Sequence, residues 1–255
     1  MNILITNDDG WDAPGLAVLK SVAQQFGNVW SVAPLNPMSG ISHQITFERP
    51  LTLVSTDHQS FSLDGTPADC VRIATTQLSV PFDWVLSGIN NGGNLGSDVF
   101  VSGTIAAARE ATSRGIRSIA LSQHRCRFKL PYDWTRTSWM AELILKRLLH
   151  ATDLAKPFTL INVNFPDKYH SRQQGLETNG QPILVELPLV SQEEFLGSFE
   201  IVKCPIDRQP IPAEFRIDEE GRYLYCGKYH ERERTPGGDI ENCFGGAITV
   251  SELRI

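Results

Sequence analysis

The chain has 255 residues, 41% of them apolar, with a formal charge of −6 and a pI near 5.5. This is an ordinary globular composition, and its acidic balance argues against a nucleic acid polymer as partner while leaving room for a pocket that binds one small anion. Five dispersed cysteines without a C-x-x-C pair argue against a disulfide framework or zinc site, and no leader-like or membrane-spanning apolar run is present, so a cytoplasmic protein is expected.

In chain order, Ile3-Leu4-Ile5 reads as a short buried strand closed by Asn7-Asp8-Asp9-Gly10. Pro14 sits where a first helical residue belongs, and Leu16, Leu19, Val22, Ala23 and Phe26 follow at helical spacing up to Gly27. Val29 to Ala33 is the next strand, which makes a strand–helix–strand unit typical of a parallel sheet. Residues 44–63 alternate apolar and polar around Ser55 to Ser60 and are expected to form a hairpin. A helix is expected from Pro67 to about Leu78, a strand over Asp83 to Ser87, and then a Gly/Asn-rich loop from Gly88 to Gly103. Ile105 to Arg114 reads as helix, Ser118 to Ser122 as strand, 138–149 as amphipathic helix, and Phe158 to Phe165 as strand.

After Pro166 the chain turns polar and Pro/Gly-punctuated, with strand-like pieces such as Ile183-Leu184-Val185, before Ala247 to Val250 closes with a strand. The expectation is one domain over 1–255. Residues 1–166 and 245–255 form its α/β core, and 167–244 an extension with β-hairpin arms suited to oligomer contacts.

The polar clusters follow predicted strands. Asp8-Asp9 follows the first, Ser39-Gly40 lies beyond the second, and Asn90 to Asn94 follows Val85-Leu86, with Ser102-Gly103-Thr104 closing that loop. In open α/β sheets ligands bind outside the carboxyl ends of strands, so these loops should converge on one crevice. Two carboxylates, a hydroxyl and an amide are hard oxygen donors that suit Mg²⁺ or Mn²⁺ better than zinc, and a divalent cation offsets the repulsion of adjacent aspartates. The plain alternative for Asp8-Asp9 is a solvated turn with one Asp capping the next helix. Ser102 to Ala108 combines small residues, hydroxyls and a helix N-terminus, the makings of an anion site, with simple N-capping by Ser102 or Thr104 as its alternative. Neither a G-x-G-x-x-G nor a Walker motif occurs.

With these stretches on the page, the chain resembles the SurE family of metal-dependent nucleoside-monophosphate phosphatases. The matching strings are Ile5-Thr6-Asn7-Asp8-Asp9-Gly10 with Ala13-Pro14-Gly15, Ala33-Pro34 with Ser39-Gly40, and Gly65 to Cys70. Further matches are Ser87 to Gly96, Asp98-Val99 with Ser102-Gly103-Thr104, and a weaker Ile161 to Pro166. The resemblance implies a Rossmann-like three-layer α/β sandwich with a mostly parallel sheet. It implies Asp8, Asp9, Ser39 and Asn90 as ligands of one divalent cation, and Asn94, Ser102, Gly103 and Thr104 as the phosphate pocket. It also implies homodimers or homotetramers built through C-terminal β arms. Val101 stands where the family usually has an aromatic, Leu35 where an acidic residue is common, and a longer C-terminal tail of some relatives is missing.

The expected activity is that of a 5'-nucleotidase. Water activated by the metal attacks a nucleoside 5'-monophosphate in line, Asp8 or Asp9 accepts its proton, and 3'-monophosphates and short polyphosphate are further candidate substrates. The rival is a non-catalytic metal- or nucleotide-binding protein that retains the site.

Overall fold

The computed structural model describes residues 1–126, 132–150, 158–167, 177–178, 181–182 and 191–255. Ile3-Leu4-Ile5 lies within β1 (Asn2–Thr6), and α1 (Pro14–Ala23) opens with proline at its first turn before β2 (Asn28–Pro34). Next come β3 (Leu53–Asp57), β4 (Ser60–Leu63), α2 (Pro67–Gln77) and β5 (Trp84–Asn91). A 3-10 turn at Gly96–Phe100 leads to α3 (Gly103–Ser113), followed by β6 (Arg117–Gln123), α4 (Trp134–Leu148) and β7 (Thr159–Phe165). The rest comprises β8 (Glu177–Thr178), β9 (Gln181–Pro182), α5 (Gln192–Gly197), β10 (Ile201–Lys203), β11 (Phe215–Ile217), β12 (Tyr223–Tyr225), α6 (Asp239–Phe244) and β13 (Ile248–Arg254).

Nine of the described strands form one sheet in the order β10-β13-β7-β6-β5-β1-β2-β4-β3. It is parallel except where β3 meets β4 and β13 meets β7. Helices cover both faces, which is why its central strands are apolar throughout rather than alternating. On β1, Ile3 and Ile5 join the cluster containing Leu16, Leu19, Met140 and Ile144 of α1 and α4, while Leu4 joins Val71, Ala74, Ala107 and Ala111 of α2 and α3. Both sets are almost fully buried, and each Ile, Leu, Met or Val among them contributes roughly 1.5–3 kcal/mol. This is the expected mostly parallel α/β sandwich.

Two features depart from the pattern reading. The hairpin of residues 44–63 is confined to β3 and β4, and residues 44–52 form no strand because their polar groups bond to α2 instead: Thr46 Oγ1 donates to Asp69 Oδ2 at 2.7 Å. The sheet also continues into the segment expected to be extension, where β10 pairs with β13 and Phe195 of α5 enters the same core as β1. The strand-like Ile183-Leu184-Val185 lies outside the described residues. No helix among the described residues is long and apolar enough to cross a membrane.

Candidate active site

Strand order locates the crevice. The chain runs from β1 outward through β2 to β4, then returns to the other side of β1 as β5, so connections diverge between β1 and β5. That divergence opens a cleft at the carboxyl ends of these two strands. Asp8 and Asp9 leave β1 there, and Asn90 lies at the end of β5.

The turn after β1 is built locally. The Asn7 side-chain N–H donates to the Gly10 carbonyl at 2.7 Å, and Gly10 takes a φ of +108°, which a side chain would strain. No aspartate caps α1: its N-cap is Ala13, without a side-chain hydrogen bond. The plain capping alternative for the pair therefore fails at this helix.

Asp8 is 4% exposed, and its Oδ1 accepts a 2.6 Å hydrogen bond from the Thr104 hydroxyl of α3. Burial, opposed by the Thr104 bond and reinforced by the Asp9 charge, pushes its carboxyl up to about 6. Asp9 is half-buried; burial raises its carboxyl too, and its Oδ2 accepts from the Asn91 backbone N–H at 2.9 Å. That bond ties the ends of β1 and β5 together. The Asn90 amide N–H donates to the Gly92 carbonyl at 2.8 Å, which turns its carbonyl oxygen the other way as a prospective ligand. Arg125, just past β6, donates to the Asn91 side-chain oxygen at 2.7 Å.

Ser39 arrives on the loop after β2. The Met38 N–H donates to the Asp8 carbonyl at 2.7 Å, so this loop is seated on the aspartate turn with Ser39 exposed beside it.

The N-terminus of α3 completes the crevice. A Cβ on Gly103 would lie 2.8 Å from Asp8 Cβ and 2.9 Å from Asp8 Oδ2, so only glycine lets the helix start this close to the carboxylate. Ser102 is the N-cap and accepts from the Ile105 N–H at 3.1 Å, which leaves its hydroxyl hydrogen for another acceptor. Thr104 is fully buried and its hydroxyl is committed to Asp8. Asn94 is directed into the protein: its side-chain amide donates to Ser122 Oγ at 2.8 Å, and its backbone carbonyl accepts from the side-chain amides of Asn162 and Asn164 at 2.9 and 3.1 Å.

Several residues that shape this crevice were not singled out from sequence. Asn162 and Asn164 project from one face of β7, the signal being two asparagines at strand spacing in an apolar run. The loop after β5 is clasped from the far end of the chain. Asp98 accepts from Arg232 Nη1 at 2.9 Å and from the Tyr229 hydroxyl at 2.7 Å. The Gly96 N–H donates to Asp239 at 2.8 Å. No local pattern announces these contacts.

As a donor set, two carboxylates, an amide oxygen and a hydroxyl fit a hard divalent cation, whose charge would offset the burial that raises both aspartates. Among the described residues no three His, Cys, Asp or Glu side chains form a metal cage, so Ser39 and Asn90 would have to complete it.

Comparison with known proteins identifies the relatives of this chain. The family profile described as "Survival protein SurE" matches residues 3–181. A relative from Nostoc sp. is 42% identical over 258 residues, spanning all of both chains. A Rhodospirillum rubrum protein named "5'-nucleotidase SurE" is 38% identical, over 98% of this chain and 89% of its own. The crystal structure of the SurE protein from Aquifex aeolicus superimposes with a TM-score of 0.77 at 28% identity, covering 100% of this chain and 93% of that one.

Proposed function

The chain belongs to the SurE family, and on that premise we propose that it is a 5'-nucleotidase that releases phosphate from nucleoside monophosphates with one divalent cation, Mg²⁺ or Mn²⁺. The observation that carries the reading is the meeting of Asp8, Asp9 and Asn90 with the glycine-opened N-terminus of α3 in the β1–β5 cleft.

Asp8, Asp9, Ser39 and Asn90 would hold the cation, which supplies Lewis acidity toward the phosphoryl group and the attacking water. The chain's own groups then divide the work. Gly103 presents its backbone N–H and Ser102 its hydroxyl to phosphate oxygens, where the helix dipole adds favourable field. Thr104 orients Asp8 from behind and Asn94 fixes the loop, so both act on the pocket through other groups. Asp9, the more accessible aspartate, would orient water for in-line attack and take its proton, while Asp8 is sealed against Thr104.

The remaining readings follow the same premise. 3'-Monophosphates and short polyphosphate are further candidate substrates. The chain acts as a single domain, and the exposed Phe215, Ile217, Tyr223 and Tyr225 of the β11–β12 hairpin suit an arm that is covered in a homodimer or homotetramer. Five cysteines held as thiols outside any disulfide suit a reducing cytoplasm.

The test is phosphate release from 5'-AMP, 5'-GMP, 3'-AMP and tripolyphosphate, with and without Mn²⁺ or Mg²⁺ after chelation. Metal-dependent release from the 5'-nucleotides supports the reading. No release from any substrate under saturating metal would overturn it in favour of a binding protein.

A further inference from the structure

The pairing of β1 with β5 ends at Thr6 and Ser87, and β5 continues past it to Asn91. Over this last stretch β5 is held on its other side by β6, through Asn90 opposite Ser122 and Asn91 opposite Gln123. The Asn91 N–H, beyond the reach of the β1 ladder, donates instead to Asp9 Oδ2 at 2.9 Å. Asp9 is thus oriented by a backbone group at the end of a strand, where an exposed residue such as Asn91 frays unless something holds it.

The hold comes from outside the ladder. Arg125 Nη1 donates to the Asn91 side-chain oxygen at 2.7 Å. Its guanidinium is buried and lies over the Tyr132 ring, 4.3 Å from the ring centroid. The ring is fixed in turn. The Tyr132 hydroxyl donates to Thr137 Oγ1 at 3.1 Å, because the Thr137 hydrogen is committed to Gln123 Oε1 at 2.8 Å. Gln123 is the residue opposite Asn91 in the ladder, so the contacts close a ring from β5 through Arg125, Tyr132 and α4 back to β6. A stacked, desolvated guanidinium with its donors in a rigid fork has little freedom to swing. So much order around an exposed asparagine has one visible beneficiary, the carboxylate that its N–H binds.

We propose that Arg125 is a positioning residue for phosphate release: through the side chain of Asn91 it fixes the backbone N–H that orients Asp9. The proposal rests on the phosphatase reading above and deepens it. With Oδ2 tied to Asn91, Oδ1 of Asp9 is the oxygen left for the cation or the attacking water, and the pair sets its direction. Groups that hold a ligand from behind in this way change metal affinity or turnover by about 10–100-fold when removed.

The test combines Asn91→Ala, which removes the side-chain oxygen and keeps the backbone N–H, with Arg125→Met and the double variant. For each, kcat and KM on 5'-AMP at saturating Mn²⁺ are read beside Mn²⁺ affinity by titration calorimetry and a thermal melt. Asn91 is exposed, so Asn91→Ala carries the test even where Arg125→Met fails to fold. Each single variant is expected to lower kcat about tenfold with KM unchanged, since the groups proposed for phosphate stay in place, and to weaken Mn²⁺ binding about tenfold. The double variant is expected to match the singles, because both changes break the same link. Wild-type kcat and Mn²⁺ affinity in Asn91→Ala overturn the positioning role while leaving the phosphatase reading intact. A rise in KM alone, or additive losses in the double variant, overturns it equally, since Arg125 would then act by another route. A wild type that releases no phosphate overturns the phosphatase reading, and the positioning role with it.

Discussion

Two irregular loops border the crevice, and they are held in opposite ways. The loop after β2, residues 38–49, is fixed by partly exposed contacts to Asp69 of α2, to its N-cap Thr66, to Asp64 and to the segment before α3. The loop after β5, residues 92–102, is fixed by buried charge: Asp98 meets an Arg232 side chain that is 1% exposed, 134 residues further along. Partly exposed anchors of the first kind contribute on the order of 1–2 kcal/mol each and can be lost singly. A buried ion pair contributes little net stability, but losing one partner leaves a charge stranded. The first loop is thus tolerant of change, and the second, which leads into α3, is intolerant.

The largest effect is expected where neither loop can compensate. Asp9→Asn should lower phosphate release by at least about 10³-fold at saturating Mn²⁺ while leaving the fold intact, since on the proposed mechanism it removes the proton acceptor and one ligand together. Wild-type turnover in this variant would remove Asp9 from the chemistry.

Breaking the buried clasp comes next. Arg232→Met should cost about 3–5 kcal/mol in urea unfolding, and adding Asp98→Asn should restore part of it, because the second change removes the stranded charge. Equal losses from the single and double variants would show that the pair is not what holds the loop.

A pH experiment probes the same clasp. His124 stacks on Phe244 of α6 with ring centroids 4.5 Å apart, and burial, aided by neighbouring cations, depresses its imidazole to about 3. Because the folded value lies below the unfolded 6.5, its contribution is fully present above pH 6.5 and is lost as pH falls toward 3. His124→Phe should therefore flatten this part of the acid limb in a stability-versus-pH series. An unchanged slope would mean that the imidazole is not kept neutral.

The smallest effect belongs to the tolerant loop. Thr46→Val should cost no more than about 1 kcal/mol, since the Thr46 N–H still reaches Asp69. A loss comparable to that of Arg232→Met would erase the distinction between the two loops.

What was legible in the sequence divides along the same line. The strand–helix–strand start, the Asp-Asp-Gly turn and the Ser-Gly-Thr helix start are local events, dictated by apolar periodicity and cap chemistry within a few residues. Those signals located the crevice because strand ends of a parallel sheet lie on one edge. The clasp of Asp98 by Arg232 and Tyr229, and of Gly96 by Asp239, depends on residues more than a hundred positions away and leaves no local trace. Residues 44–52 misled the pattern reading for a related reason: alternation suggested a strand, but the polar members bond to α2 rather than to a neighbouring strand. Which aspartate faces water was also beyond the sequence, since it depends on Thr104 reaching back to Asp8.

Mn²⁺ binding, followed by isothermal titration of the chelated protein, asks most directly whether the β1–β5 cleft is a metal site. One site per chain is expected in the wild type and none in Asp8→Asn/Asp9→Asn. Undiminished stoichiometry and affinity in that double variant would place the metal elsewhere and contradict the assignment.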